Sequence, residues 1–299
     1  MTIILETKLP FPLLRRGKVR DNYDLGDMIL MVATDRISAF DVVLPCGIPD
    51  KGKVLNQLSG FWFQKTASIV PNHMRSILLG KKDLSLSPSL LKIKFPEELL
   101  GRSMLVKKAE RIPVECVVRG YISGSAWEEY RKKGTVQGKK YSPGMVESQR
   151  FPELIFTPTT KEEEGHDMPL TLAQLKDKIG SSPAKDLEEK SIAVYIFARD
   201  YALSKGIIIA DTKMEFGLIE GKLHLIDELL TPDSSRFWFK DRYQPGKIQP
   251  SLDKQPVRDW LSSTAWDQKP PAPMLPPEII QQTSEIYKQA FEIITGQNL

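Results

Sequence analysis

Cysteine and histidine are scarce in this chain. Its 299 residues include two cysteines, Cys46 and Cys116, and three histidines, His73, His166 and His224. The cysteines form no C-x-x-C pair and have no histidine at ligand spacing, so neither a disulfide framework nor a zinc site is expected. The histidines share no spacing with a serine or cysteine nucleophile, so a Ser-His-Asp or Cys-His enzyme is not indicated.

Long apolar runs and a charge excess are also missing. No segment is apolar for long enough to span a bilayer, and the N-terminal stretch lacks the hydrophobic core of a signal peptide. Forty-two Lys and Arg against 38 Asp and Glu leave a net charge of only +4, without a basic run. We therefore expect a cytoplasmic monomer or small homo-oligomer that binds small molecules rather than nucleic acid or a membrane.

The hydrophobic residues, 41% of the chain, follow both strand and helix periods. "LLRRGKVRDNYDLGDMILMVAT" predicts two strands joined at residues 25–27, with Gly17 interrupting the first. "RSMLVKKAERIPVECVVRGYI" predicts two more, broken near residues 111–113 by a proline. Helices are expected at about 52–69, over "SIAVYIFARDYALSKG" and near the C-terminus. The pattern indicates an α+β fold with antiparallel sheets flanked by helices.

Three local expectations accompany this fold. Ser125 and Glu128 have the spacing of a capping box, with Gly134 as the stop of the same helix. Residues from about 139 to 169 are expected to form a long ordered loop. In "SIAVYIFARDYALSKG" the apolar stripe is expected to comprise Ala193, Ile196, Phe197 and Tyr201.

The stretch "GIIIADTKMEFG", residues 206–217, begins as a buried strand and becomes charged without changing its period. In an extended chain Asp211, Lys213 and Glu215 share one face, and the other face is apolar. A solvated face is the ordinary explanation of such alternation. The preceding isoleucine run indicates burial on both sides, so we expect these charges at the mouth of a core, where something binds them.

Glu215 and Asp227 are predicted on the two arms of a hairpin. A two-residue turn at Glu220 and Gly221 would place Glu215 opposite Ile226, whereas a longer loop or a bulge would place it opposite Asp227. Paired carboxylates repel unless a cation bridges them, and oxygen ligands without Cys or His fit Mg²⁺. The alternative is a surface acidic pair bridged by lysine.

Anion-binding residues are indicated at three further places. "RGKVRD" offers Gly17, whose backbone can approach a phosphate, with Lys18 and Arg20 beside it, although it matches no standard phosphate motif. Arg119 ends a strand before the helix that Ser125 would cap, which suggests an anion pocket. Arg236, after the acidic hairpin, could add a second guanidinium. Each of these groups, taken singly, is more often solvated.

Taken together and in order, several blocks resemble the SAICAR synthetase family. They are "GKVRDNY", "DRISAFD", "GKVLNQLS", "VECVVRGYISGSAW", "FTPTTKEEEGHD", "DTKMEFG" and "IDELLTPDSSRFW". The resemblance runs from about residue 14 to residue 260 and is closest to the long form with a C-terminal extension. It implies a two-part α+β fold, with a nucleotide-binding part at residues 1–112, a substrate- and metal-binding part at 113–299, and an ATP cleft between them.

The resemblance also implies a function: ATP- and Mg²⁺-dependent ligation of carboxyaminoimidazole ribonucleotide (CAIR) to L-aspartate in purine biosynthesis. It assigns catalysis to Lys18, Asp211 and Lys213, and the metal to Glu215 and Asp227. The implied nucleotide residues are Gly17, Lys18, Val19, Arg20, Lys107, Glu110, Ile112 and Asp227. The implied substrate residues are Ser38, Asp41, Arg119, Ser125, Lys213 and Arg236.

Two other functions are consistent with parts of the pattern. A kinase-like phosphotransferase is suggested by "MEFG", which superficially resembles DFG, but the chain lacks the H-R-D catalytic loop. A non-catalytic nucleotide-binding protein would not need both Glu215 and Asp227. Lys161, His166 and Asp167 are further candidates for a lid, although a charge run such as "KEEE" is usually solvated.

Overall fold

The computed structural model describes residues 2–161 and 167–299. The strands are β1 (Leu13–Arg16), β2 (Arg20–Asp24), β3 (Met28–Ala33), β4 (Arg36–Ala39), β5 (Val42–Gly47), β6 (Met74–Ile77), β7 (Ser103–Lys107), β8 (Glu110–Tyr121), β9 (Thr135–Val136), β10 (Lys139–Lys140), β11 (Arg150–Phe156), β12 (Thr159–Thr160), β13 (Ile207–Ile219), β14 (Lys222–Ile226) and β15 (Ser235–Phe239). The helices are α1 (Lys51–Lys65), α2 (Lys81–Leu84), α3 (Pro88–Leu91), α4 (Ser125–Lys133), α5 (Leu172–Ile179), α6 (Ser181–Ser204), α7 (Gln255–Ser263) and α8 (Pro277–Thr295). Within these described residues no helix has the length and apolarity needed to cross a membrane.

The N-terminal sheet is antiparallel and has the strand order β1-β2-β3-β7-β6. β1 and β2 form a hairpin whose tip is residues 17–19, closed by the Gly17 N–H donating to the Arg20 carbonyl at 2.7 Å. The expected single strand interrupted at Gly17 is therefore wrong, because the glycine opens a turn between two strands. The turn predicted at residues 25–27 does join β2 to β3.

The second sheet is built around β13. β8 pairs with one edge of β13, while β15 and β14 pair with the N-terminal and C-terminal halves of its other edge. β11 and β12 extend the sheet beyond β8. The charged segment of β13 therefore lies mid-sheet between neighbouring strands, and an α+β fold with antiparallel sheets is confirmed.

A hydrophobic core joins the two sheets through the helices. Leu58, Trp62 and Phe63 of α1 belong to the same buried cluster as Val194 of α6 and Phe291 of α8. α6 packs on β13, and α8 packs on α1. The division into two parts at residue 112 stays a prediction.

β8 runs unbroken through Pro113, against expectation. Arg111 pairs with Gly217 and Glu115 with Glu215, so residues 112–114 of β8 face the single residue Phe216. This bulge accommodates a proline that cannot donate to the ladder, so the strand continues. The break between strands lies instead at residues 108–109.

The helix and loop expectations needed correction at several points. The buried face of α6 contains Val194, Tyr195 and Ala198, whereas Ile196 and Phe197 are exposed, so the helix is rotated relative to the expected stripe. The expected loop at 139–169 contains β10, β11 and β12. Helix α1 ends at Lys65 instead of residue 69. The expected stop of α4 is confirmed, since Gly134 is its left-handed C-cap.

Candidate active site

A cavity of about 820 Å³ lies between the two sheets. Its walls come from the β1–β2 tip, the N-terminal sheet, β8, β13 and the segments that follow β14 and precede α7. The cavity's lining includes these residues suggested by the sequence: Gly17, Lys18, Val19, Arg20, Ser38, Asp41, Lys107, Arg119, Ser125, Lys161, Asp167, Asp211, Lys213, Glu215, Asp227 and Arg236. Glu110 and Ile112 are not among its described lining residues.

The cavity opens over the charged face of β13. Asp211, Lys213 and Glu215 line it, while Met214 and Phe216 of the opposite face are buried in the core. Alternation along the strand therefore places the ionic groups toward the cavity and the apolar groups toward the core. The predicted location of these charges at the mouth of a core agrees with this arrangement.

Asp211 is held by two arginines from the neighbouring strands. It pairs in register with Arg119 of β8 and Arg236 of β15. The Asp211 Oδ2 atom accepts from Arg236 Nη1 at 2.5 Å and from Arg119 Nη1 at 2.9 Å. Burial would raise the pKa of Asp211, but the two guanidiniums outweigh it and hold that pKa below its usual value.

Ser125 lies beside this arginine pair, although it is not a helix cap. Arg119 Nη2 donates to Ser125 Oγ at 3.3 Å. Ser125 is the first residue of α4, and the cap position is Gly124, with φ of 54° and no side-chain cap hydrogen bond. The expected capping box is therefore wrong, because the chain turns at a glycine. A Cβ on Gly124 would lie 2.1 Å from Arg236 Nη2, so the glycine leaves room for that guanidinium.

The acidic pair depends on the turn between β13 and β14. Ile219 pairs with Lys222 and Glu215 with Ile226, so the two-residue turn is the one that forms. Glu220 and Gly221 both have positive φ, 52° and 72°, as such a turn requires. Asp227 is thus not directly opposite Glu215.

Asp227 nevertheless reaches the same site. It leaves β14 with φ of 69° and lines the cavity. Burial first, and the negative charge of Asp227 second, raise the pKa of Glu215 to about 7. The two carboxylates therefore repel one another, and a cation between them would relieve that repulsion.

Glu115 is an acidic group that the sequence reasoning missed. It pairs in register with Glu215 across β8 and β13. Lys161 Nζ lies 2.6 Å from Glu115 Oε1 and 3.0 Å from Glu215 Oε1, and Lys213 Nζ lies 3.3 Å from Glu115 Oε2. Glu115 could have been found from its place four residues before Arg119, on the same strand face.

The β1–β2 hairpin contacts the acidic residues through Arg20 and the "DRISAFD" segment through Lys18. Arg20 donates to Asp227 and lies 3.6 Å from Glu228. Lys18 Nζ donates to Asp41 Oδ1 at 2.5 Å. Arg20 comes from the N-terminal sheet and Asp227 follows β14, so this ion pair joins the two sheets across the cavity.

One end of the cavity is apolar. Ile29, Met31 and Val106 of the N-terminal sheet line it, together with Lys107 and His73. Burial lowers the pKa of His73 to about 3, so its ring is neutral. A nucleoside phosphate needs an apolar wall for its base and, next to it, cationic side chains for its phosphates, and this cavity offers both.

Asp233, Lys254 and Arg258 also line the cavity and were not singled out from the sequence. Asp233 and Lys254 lie in segments without a periodic pattern, so no local signal marks them, and Arg258 lies on α7, a helix that the sequence reasoning did not identify. His166 lies outside the described residues. In residues 2–161 and 167–299, no three His, Cys, Asp or Glu side chains are grouped as a complete metal site.

Comparisons with known proteins agree with this geometry. A family model described as SAICAR synthetase matches residues 13–273. The phosphoribosylaminoimidazole-succinocarboxamide synthase of Thermodesulfovibrio yellowstonii is 54% identical over 98% of this chain and 99% of its own length. That of Desulforapulum autotrophicum is 52% identical over 98% of both chains.

Solved structures give the same result. A structure described as SAICAR-synthase from Saccharomyces cerevisiae complexed with SAICAR has a TM-score of 0.88 at 44% identity, over 99% of each chain. One described as SAICAR synthetase (Type-2) in complex with ADP has a TM-score of 0.69 at 26% identity, over 95% of this chain and 98% of that one. The chain therefore belongs to the SAICAR synthetase family.

Proposed function

We propose that this chain is an ATP-dependent ligase that joins CAIR to L-aspartate, giving SAICAR, ADP and phosphate in purine biosynthesis. One observation carries the proposal. A single cavity presents a carboxylate pair suited to a metal–nucleotide complex and a paired-arginine site suited to a second phosphate. Membership of the family supports the same reaction, and the cavity matches what two phosphorylated substrates need.

The nucleotide end is formed by the β1–β2 tip. Gly17 lets the backbone approach a phosphate, and Lys18, Val19 and Arg20 line the cavity at the same tip. Lys107 lies beside the apolar wall, where it would flank the base. The assignment of Glu110 and Ile112 to the nucleotide stays a prediction, and their positions off the described cavity lining give it no support.

Glu215 and Asp227 fit Mg²⁺. They are hard oxygen donors, and burial together with the negative charge of Asp227 raises the pKa of Glu215, an effect that a bound divalent cation would oppose. When bound, Mg²⁺ supplies positive charge that offsets the charge of the phosphates. Arg20 and Lys161 already hold these carboxylates in place by ion pairs.

The ribonucleotide end is formed by Arg119, Ser125 and Arg236, which we assign to the CAIR phosphate. A guanidinium pair with a hydroxyl is well suited to a phosphate dianion. Asp211 orients both arginines, and with Lys213 it would face the imidazole. Ser38 and Asp41 line the wall near Lys18 and would complete the substrate pocket.

The proposed reaction has two chemical steps. An oxygen of the CAIR carboxylate attacks the γ-phosphorus of ATP, and ADP leaves. Lys18 stabilises the charge that develops during this transfer. The resulting acyl phosphate is then attacked by the neutral amine of aspartate. The C–N bond forms, the amine loses a proton, and phosphate departs with one of the original carboxylate oxygens.

Oxygen tracing tests this reaction. With ¹⁸O in the CAIR carboxylate, one labelled oxygen should appear in the released phosphate for each product molecule. Unlabelled phosphate with normal product formation would show that the carboxylate is not phosphorylated. ATP hydrolysis should also require both CAIR and aspartate.

The same assay separates the alternatives. Phosphate transfer to a peptide would indicate a kinase-like phosphotransferase, and nucleotide binding without turnover a non-catalytic protein. The residues "MEFG" continue β13 as a strand, so their similarity to DFG has no structural counterpart here.

We further propose that the protein is located in the cytoplasm, that it is a monomer or a small homo-oligomer, and that its partners are small molecules.

A further inference from the structure

The C-terminal helix α8 reaches the wall of the cavity. The family model ends at residue 273, before α8 begins. Yet Tyr287, Ala290, Phe291 and Ile294 of α8 are buried, and Tyr287 is 0% exposed. Its hydroxyl donates to Asp233 Oδ1 at 2.6 Å, and Asp233 lines the cavity.

Asp233 is shared by three groups from separate elements. Lys51, at the start of α1 and 0% exposed, donates to Asp233 Oδ2 at 2.7 Å. The Tyr287 hydroxyl donates to Asp233 Oδ1. Lys254 Nζ lies 4.0 Å from that same oxygen, which is too far for a hydrogen bond. Lys51 and Tyr287 therefore each donate a hydrogen bond to one oxygen of Asp233, and the Lys254 ammonium lies farther away.

Lys254 lies in a strongly cationic part of the cavity. It lines the cavity together with Arg258 and Lys213. Burial lowers the pKa of Lys254 to about 8; Asp233 offsets part of this effect, whereas Arg258, Lys51 and Lys213 add to it. A buried ammonium among other cations is stabilised by any anion that binds beside it.

Besides the phosphates, the substrates carry two kinds of carboxylate. That of CAIR must reach the γ-phosphate of ATP near the β1–β2 tip, so the carboxylates of aspartate are the ones left to bind elsewhere in the cavity. If the CAIR phosphate occupies the Arg119 and Arg236 pair and the ATP phosphates lie at the β1–β2 tip, both phosphate sites are taken. Lys254 lines the same cavity, as do Asp233 and Ser234. This step rests on the proposed function.

We propose that Lys254 binds a carboxylate of the L-aspartate substrate, and that Tyr287 is a positioning residue for Lys254. By donating to Asp233 Oδ1, the tyrosine hydroxyl occupies the acceptor that would otherwise draw the lysine ammonium away from the cavity. Without that hydroxyl, Lys254 moves closer to Asp233, and their long ion pair of 4.0 Å becomes a hydrogen-bonded one. The substrate carboxylate then has to compete with Asp233 for the ammonium.

Tyr287→Phe tests the proposal, because it removes the hydroxyl and keeps the ring in the core. We expect the KM for L-aspartate to rise roughly three- to tenfold, the range that corresponds to one hydrogen bond. The KM values for ATP and CAIR and the kcat should change much less. A loss of stability alone would not produce this selective change.

Ser284→Ala is the matched control on the same helix. Ser284 Oγ donates to the Pro49 carbonyl at 2.8 Å, so this variant also removes one hydroxyl hydrogen bond between α8 and the start of α1. It should leave the aspartate KM unchanged. If both variants change kinetics alike, or if Tyr287→Phe affects the three KM values equally, α8 is only structural and the proposal is overturned.

Lys254→Gln tests directly whether Lys254 binds aspartate, and this test remains available even if the Tyr287→Phe variant does not fold. Its aspartate KM should rise more than that of Tyr287→Phe, and an unchanged value overturns the proposal. In the double variant the tyrosine change should add nothing to the aspartate KM, since the group that it positions is gone.

Turnover by the wild-type protein is measured first. If the wild type shows no turnover, the proposed function itself is wrong. If turnover is normal, the kinetics of the variants test only the roles of Lys254 and Tyr287.

Discussion

Asp227 shows how backbone and charge act together at the scale of single residues. Its φ of 69° turns the chain out of β14, toward the carboxylate of Glu215 and the guanidinium of Arg20. Few residues other than glycine adopt this conformation readily, but aspartate and asparagine do. The position can therefore be changed chemically while its backbone conformation is kept.

Asp227→Asn should abolish most turnover and leave the fold intact. The substitution is nearly isosteric and suits the positive φ, but it removes a negative charge from the proposed Mg²⁺ site. Steady-state rates at saturating Mg²⁺ and circular dichroism measure the two effects. Wild-type rates in a folded variant would remove Asp227 from the metal site.

The reduced pKa of Lys254 predicts a pH dependence for aspartate binding. With a pKa of about 8, Lys254 is mostly an ammonium below that pH and mostly a neutral amine above it. The charged groups around it are Asp233, Lys51, Lys213 and Arg258. Because a carboxylate binds the ammonium form, the KM for aspartate should rise above pH 8, approaching roughly tenfold per pH unit.

Lys254→Arg is the control for this profile. A guanidinium stays charged throughout this pH range, so the rise should disappear in the variant. Titration of the substrate amine affects both proteins equally and cancels in the comparison. A rise that is the same in both would show that Lys254 is not the titrating group.

At the scale of elements, the start of α4 is shaped to fit Arg236. Gly124→Ala would place a Cβ 2.1 Å from Arg236 Nη2 and 2.8 Å from its Cζ, at a positive φ of 54°. The guanidinium must move, so the KM for CAIR should rise about tenfold or more, as expected for a weakened charge-assisted hydrogen bond. The KM for ATP should change little.

Gly138→Ala separates displacement of Arg236 from backbone strain. Gly138 also has a positive φ, 76°, but an added Cβ there meets nothing within 4 Å. Both variants place an alanine at a positive φ, so both should lose stability on thermal unfolding, and Gly124→Ala should lose more because its Cβ also clashes with Arg236. Only Gly124→Ala should raise the CAIR KM; an equal rise in both would contradict the role assigned to Arg236.

The elements also show which parts of the site are readable from sequence. Side-chain direction along a strand is a local property, so alternation predicted the shared face of Asp211, Lys213 and Glu215. Strand pairing depends on distant segments, so the placement of Glu115 opposite Glu215 could not be read locally. The bulge beside Pro113 sets that register, and a proline alone suggests a break just as well.

The same limit applies to residues outside regular elements. Lys254 precedes α7 and Asp233 lies between β14 and β15, where no period constrains side-chain direction. The role proposed for Tyr287 of α8 could not be predicted either, because a buried tyrosine at helical spacing is usually only a core residue. Tyr287 is a core residue that also donates to a cavity carboxylate, which only the packed structure reveals.

At the scale of the whole molecule, the cavity is shared by two sheets, so a ligand in it should bind the folded chain as a unit. Mg²⁺-ATP at about 100 times its Kd should stabilise the protein by about 2.7 kcal/mol. For a chain of this size that corresponds to a Tm increase of about 4 °C. Differential scanning fluorimetry measures it.

Asp227→Asn provides the comparison for this shift. The variant should show a smaller increase with Mg²⁺-ATP than the wild type, yet the same increase with CAIR alone, because the Arg119 and Arg236 site is unchanged. An equal increase with Mg²⁺-ATP in both proteins would place the nucleotide's metal elsewhere.

The turn at Glu220 and Gly221 has a consequence for insertions and deletions. These two residues are exposed and do not line the cavity, so substitutions that keep both positive φ values should be tolerated. Their number is a different matter, because adding or removing one residue slips β14 against β13 and turns alternate side chains to the opposite face. Asp227 would then point away from Glu215. The length of this exposed turn is thus constrained by the proposed metal site. A replacement turn at this hairpin should therefore keep two residues, whereas the identity of those residues matters less.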